Sequence, residues 1–144
     1  MSATVDVNVL LYSSDKSSSF HSGALRLLER LARGPDLLYL FWPVVMSYLR
    51  MATHPAIFPR PLSTDQAVDN IDQLLSLRHA RTPGEEEGFW DMYRATMAGV
   101  VVRGNLVPDA HLVALMRQNG VSTIWSHDRD FRKFDGIQVR DPFA

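Results

Sequence analysis

Residues 4–11 read TVDVNVLL, a run of Val and Leu broken by one acid, Asp6, and one amide, Asn8, just ahead of the polar cluster Ser13–Ser19. The run is short for a helix and rich in β-branched side chains, so it predicts a buried strand. A carboxylate inside such a strand is costly unless it is paired, exposed at the strand end or bound to a metal. Asp6 is therefore the first candidate for chemistry.

The same alternation of short apolar runs and helical patterns continues along the chain. Ala24, Leu25, Leu27, Leu28 and Leu31 recur at helical spacing from His21 to Ala32, until Gly34-Pro35 stops the pattern. Leu37–Phe41 suggests a second strand, and Pro43 opens a helix through Met51 that ends before His54-Pro55. Ser63 or Thr64 caps a helix carrying Ala67, Val68, Ile71, Leu74 and Leu75. Glu85–Glu87 suit the first turn of a helix reaching Ala98. Pro108 opens another from Asp109 to Asn119, with Gly120 as its cap. Val121–Trp125 reads as a third strand, Arg129–Phe134 as a helical turn and Ile137–Val139 as a last strand. These elements predict an α/β domain with a central, mainly parallel sheet, and 144 residues at 46% hydrophobic content suit one domain spanning 1–144.

In an open parallel sheet, loops beyond the carboxyl ends of the strands converge on one crevice. Asp6 on the first strand, Asp109 at a helix start and Asp128 after the third strand all fall at such places, and Asp130 follows two residues later in SHDRDF. Carboxylates packed together repel, and a hard divalent cation relieves the repulsion. Mg²⁺ or Mn²⁺ prefers oxygen ligands and supports water attack on a phosphodiester. Taken singly, Asp109 also reads as a charge favouring a helix N-terminus, and Asp128 as a cap for the turn at Arg129.

Composition narrows the chemistry. There is no cysteine, which removes disulfides, thiolate zinc sites and a cysteine nucleophile. The five histidines, His21, His54, His79, His111 and His127, show no paired i, i+4 zinc motif and read as surface or core residues. The longest apolar run, Leu37–Met46, is ten residues interrupted by Pro43, against roughly 20 for a membrane helix. The opening residues lack a basic leader, so a soluble, cytoplasmic protein is expected. The formal charge of -1 advertises no global affinity for nucleic acid. Contacts to nucleic-acid phosphates would be local, with Arg50, Arg129, Arg132 and Lys133 either holding them or neutralising neighbouring acids. Trp42, Trp90 and Trp125 lie in apolar patterns and read as core.

Three segments together, TVDVNVLLY, NLVPDAHLVAL and SHDRDFRKF, resemble the signature regions of PIN domains in order and spacing, and the closing DPFA is similar to the VapC toxin branch. The resemblance covers essentially the whole chain. It implies a three-layer α/β/α fold and a Mg²⁺- or Mn²⁺-dependent endoribonuclease, usually dimeric and neutralised by a VapB antitoxin that often places an arginine among the acids. It assigns Asp6, Asp109, Asp128 and Asp130 to the acidic site, with Asn8 and Ser126 in supporting polar positions. One position departs. Many PIN domains carry a glutamate in a pattern like Glu-x-Leu-Arg, where this chain has Ser47-Tyr48-Leu49-Arg50. Ser47 supplies no charge, which leaves one-metal and two-metal mechanisms both open. Glu85–Glu87 and Asp91 read as a solvated helix start rather than a substitute for that acid.

Three other readings compete. Ser126-His127-Asp128 contains the residue types of a serine-hydrolase triad, but neighbours on a strand alternate faces and His127 would point away from both partners. Asp6-Val7-Asn8 is similar to the Asp-x-Asp motif of haloacid-dehalogenase-like phosphatases, yet Asn8 lacks the general acid that motif needs. A scaffold that grips RNA or protein without catalysis would not require four carboxylates.

Overall fold

The computed structural model describes residues 1–144. Strands β1 (Ser2–Val5), β2 (Leu37–Tyr39), β3 (Ala80–Arg81), β4 (Thr123–Trp125) and β5 (Gln138–Arg140) form one sheet in the order β3-β2-β1-β4-β5. Every neighbouring pair is parallel, with Thr4 opposite Tyr39 on one side and Ile124 on the other. Helices α1 (Val7–Ser14), α2 (His21–Arg33), α3 (Trp42–Ala52), α4 (Thr64–Leu75), α5 (Phe89–Thr96) and α6 (Leu106–Gln118) make the crossovers. Consecutive residues Ala3, Thr4 and Val5 are all buried, as are Thr123 and Ile124, so both faces of the central strands are covered. This is the α/β/α arrangement expected.

The strand expected over residues 4–11 is only half a strand. β1 ends at Val5, and Asp6 caps a helix instead, its Oδ1 accepting the Val7 N–H at 2.7 Å. Val9, Leu10 and Leu11 are buried at consecutive positions of that helix, which packs against α2 and α3. Tertiary burial overrides the β preference of the valines. Ser13 and Ser14, expected in a polar loop, form the last turn of α1; Ser14 Oγ lies 2.7 Å from the Tyr48 hydroxyl, which also accepts from Asn70 Nδ2 at 3.0 Å. The capping box at Ser63 forms as a reciprocal pair with Gln66.

Two further expectations change. Glu85–Glu87 do not start a helix: the Gln118 side chain bonds the Glu86 N–H and the carbonyls of Glu86 and Glu87, and α5 begins only after Gly88, whose φ of 81° suits glycine. The tryptophans are not all core. Trp90 is 66% exposed and Trp42 37%, while Trp125 is half-buried beneath arginine side chains. The interior is built instead by Tyr48, Phe41, Phe131, Phe134, Leu38 and Ile124, none more than 2% exposed.

Candidate active site

In the order β3-β2-β1-β4-β5 the chain reverses direction of travel between β1 and β4, which places the crevice of the sheet beyond their carboxyl ends. Asp6 follows β1 and Ser126 follows β4. Their side chains meet: Ser126 Oγ donates to Asp6 Oδ2 at 2.9 Å, and Ser126 Oγ itself accepts the Asp128 N–H at 2.9 Å. Ser126 is 1% exposed and Asp6 7%. The hydroxyl thus ties the carboxylate at the end of β1 to the backbone turn after β4.

That turn brings the next acids in. Asp128 caps a 3₁₀ turn, Arg129–Lys133, by accepting the Asp130 N–H at 2.8 Å. Asp109, in the first turn of α6, completes the group. Carboxylate oxygens of Asp109, Asp128 and Asp130 all lie within 4.8 Å of one another. The sole cation paired with them is Lys133, whose Nζ is 3.2 Å from Asp130 Oδ1 on the half-exposed rim.

Crowding has an electrostatic consequence. Burial, then the charges of Asp128, Asp6 and Asp130, push Asp109 up from 3.8 to about 7, with Lys133 offsetting part of the effect. Asp6 is also raised, chiefly by burial and slightly by Asp128, against the lowering pull of Ser126 and the Val7 N–H. Three hard oxygen donors sharing a space with too little positive charge fit a divalent cation of the Mg²⁺ or Mn²⁺ kind. Histidine and cysteine contribute nothing to this donor set.

Of the residues singled out in the sequence, the four aspartates and Ser126 converge. Asn8 sits in the first turn of α1, half-buried, with no side-chain bond to any of the acids. Ser47 is half-buried on α3 and brings no carboxylate. Arg50 is exposed in the last turn of α3, and Arg129 and Arg132 are exposed on the 3₁₀ turn. The triad reading fails as expected, because Ser126 bonds Asp6 while His127 turns away to Asp141, Nδ1 to Oδ2 at 2.8 Å. Both Asp6 oxygens accept hydrogen bonds, which suits a held ligand better than a phosphatase nucleophile.

The closing segment carries a feature that local patterns did not expose. Asp141 accepts from the Phe143 N–H at 2.9 Å as well as bonding His127, and Phe143 stacks on Phe20 at 4.5 Å between ring centroids. His127 packs against both rings, 4.9 Å from Phe20 and 5.5 Å from Phe143. The DPFA residues therefore clamp the turn between Ser126 and Asp128. Their signal in the sequence was the acid-proline-aromatic tail, legible only once its partner at His127 is known.

No family-wide sequence profile matches the chain. It is 56% identical over all 144 residues to Ribonuclease VapC48 of Mycobacterium tuberculosis, covering 99% of that protein. Ribonuclease VapC37 of the same organism is 33% identical over 140 residues, which are 97% of this chain and 96% of the relative. Among solved structures, M. tuberculosis VapC20, described as a sarcin-ricin loop cleaving toxin, superposes with a TM-score of 0.67 at 18% identity, covering 94% of this chain and 98% of that one. VapBC2 from Rickettsia felis, bound to a DNA fragment from its promoter, gives 0.67 at 14% identity over 97% and 98% of the two chains. The structural likeness shows the fold, and the end-to-end identity of 56% shows the lineage: the chain belongs to the VapC ribonuclease family.

Proposed function

We propose that this protein is an endoribonuclease that hydrolyses RNA phosphodiester bonds, acts as the toxin of a toxin-antitoxin pair, and holds Mg²⁺ or Mn²⁺ through Asp109, Asp128, Asp130 and Asp6. The observation that carries the reading is the convergence of the first three carboxylates within 4.8 Å at the switch point of the sheet, with Asp109 raised to about 7. A bound divalent ion would supply Lewis acidity and charge stabilisation on the phosphate. The chain's own residues do the positioning. Ser126 fixes Asp6 and, through the Asp128 N–H, the entry to the 3₁₀ turn; Asp128 in turn fixes Asp130. Arg129 and Arg132, on the 3₁₀ turn that carries Asp130, and Arg50, in the last turn of α3, would supply phosphate-binding charge, and Asn8 a polar neighbour two residues after Asp6. With Ser47 in place of an acid, the ligand set favours a single ion.

The partner reading has its own support. VapB-VapC assemblies are among the structural neighbours. Between α1, α2 and α4 runs a groove of about 490 Å³ lined by Leu25, Leu28, Leu62, Leu74 and Leu77, with the Tyr48 ring at its base, suited to an apolar helix of a VapB-like antitoxin. Exposed Trp42, Met46, Trp90 and Val101 on α3 and around α5 favour a homodimer, checked by light scattering of the Met46→Glu variant. No helix is long and apolar enough to cross a membrane.

The test is incubation of antitoxin-free protein with an RNA pool and Mn²⁺ or Mg²⁺. Cleavage is expected with either ion, none in EDTA, and a loss of at least about a hundredfold in Asp6→Asn and Asp109→Asn. Equal cleavage by Asp109→Asn and the unmodified protein would overturn the assignment.

A further inference from the structure

Arg26, Arg30 and Arg33 recur along α2 at spacings of four and three residues, so they share one face of the helix, and all three are exposed. They line a groove of about 610 Å³ whose other wall is Trp125, at the end of β4, and the segment after β5 that begins at Asp141. Arg140 on β5 reaches the same indole. Its Cζ lies 5.7 Å from the ring centroid and that of Arg30 lies 4.9 Å away. None of these four arginines has a carboxylate within ion-pair distance.

Two acidic side chains border the groove without neutralising it. Glu29 stands three residues after Arg26 and four before Arg33, spacings that favour pairing, yet it bonds neither. Asp141 is committed to His127 and the Phe143 N–H. The groove connects to the turn that carries the acids through Asp141, which lines it and bonds His127, the residue between Ser126 and Asp128. Burial works to raise the Asp141 carboxyl, but the Phe143 N–H, His127 and Arg129 together hold it below its ordinary value, so Arg129 continues the positive charge to the turn that carries Asp130.

Unpaired guanidinium groups set around an indole have the chemistry of a groove that follows a nucleic-acid backbone: the forks bind phosphate oxygens, and the Trp125 ring, stacked against Arg30 and Arg140, spaces them. The acidic site repels phosphates, and a chain of net charge -1 gains no attraction from its total, so affinity for RNA has to come from a local array. We propose that the groove between α2, Trp125 and β5 is a second RNA-binding site that holds the strand flanking the bond to be cut. The choice of RNA as occupant rests on the ribonuclease reading above.

The experiment compares Arg26→Gln/Arg30→Gln/Arg33→Gln with a control of equal charge, Arg60→Gln/Arg78→Gln/Arg94→Gln, by fluorescence anisotropy of a labelled, unstructured single-stranded RNA. Measurements are made in EDTA across a salt series, so that binding is read without cleavage. The groove variant should lose about tenfold or more in affinity near 0.1 M salt, and its log-log salt slope should shrink by about 2, since each phosphate contact contributes about 0.7 for a single strand. The control should keep both. Equal losses in the two variants, or none in either, overturn the proposal. So does a groove variant that keeps RNA affinity and loses only the antitoxin, which would assign the groove to an acidic protein segment. Cleavage by the unmodified protein in Mn²⁺ is scored separately: RNA binding that depends on the three arginines in a protein that never cleaves supports the groove and sinks the nuclease reading alone.

Discussion

Ser126 is a small residue with two jobs, and both are lost together. Ser126→Ala removes the donor to Asp6 Oδ2 and the acceptor of the Asp128 N–H, in a place where water has little access. Buried groups left without partners cost about 1–3 kcal/mol, so denaturant unfolding should show a loss of that size, and Mn²⁺ affinity should fall about tenfold or more. Ser126→Thr keeps the hydroxyl and should recover most of the affinity; if it binds no better than the alanine variant, the hydroxyl is not what positions the acids. Asp109 makes a prediction of opposite sign. Its folded value, about 7, lies above its ordinary 3.8, so the neutral form favours folding. That contribution is complete below the ordinary value and is lost as pH rises through about 7. In EDTA the melting temperature should therefore decline between these limits, and Asp109→Asn should flatten the decline and be the more stable protein at pH 8. A steeper or unchanged pH profile in the variant would contradict the crowding of the acids. Asp6 was legible in the sequence because a charge inside an apolar run has few explanations. The partners of Asp141 were not, since nothing local to DPFA points to a histidine fourteen residues earlier.

Elements were legible where one physical cause dominated and obscure where two competed. α2 and α4 have apolar spacing that agrees with their packing, α4 with its Ser63 cap as well, and they lie close to where the sequence places them, whereas α6 starts at Leu106, ahead of the Pro108 expected to open it, because a continuous buried run from Leu112 to Met116 sets its place. Residues 7–11 have the composition of a strand, but their burial against α2 and α3 makes them a helix, and that surface exists only after the chain has folded. β3 was missed because two residues, Ala80 and Arg81, carry no period at all; the backbone of β2 defines them as a strand. Gly23 shows the same dependence on distant chain. Within α2 a glycine costs about 1 kcal/mol relative to alanine, yet a Cβ there would stand 2.9 Å from Phe143 Cδ1. Gly23→Ala should thus gain no stability in the unmodified protein, where it displaces the Phe143 ring, and should gain about 1 kcal/mol in a Phe143→Ala background. Unfolding curves of the four proteins in the cycle measure this coupling. Simple additivity would mean that the closing segment does not rest on α2.

At the scale of the whole molecule, alternating strands and helices indicated a parallel sheet, but not the order β3-β2-β1-β4-β5, which long-range pairing alone decides. That order makes the site a property of the complete fold. Asp109, Asp128 and Asp130 meet where α6 and the turn after β4 come together, and Asp6, from the other end of the chain, joins them through Ser126 only when β1 lies beside β4. An ion bound among them should stabilise the folded chain as a whole, by about 2.7 kcal/mol at a hundred times its Kd, because the unfolded chain offers no such constellation. The effect should also depend on pH, since Asp109 at about 7 must give up its proton before it can ligate. Mn²⁺ affinity should tighten by up to about tenfold per pH unit below that value and level off above it. Calorimetric titration at pH 6 and 8, in two buffers of different ionisation enthalpy, reads both the change in Kd and the proton released. A Kd equal at the two pH values, with no proton released at pH 6, would remove Asp109 from the ligand set and leave its raised value a consequence of burial beside like charges, with no part in binding.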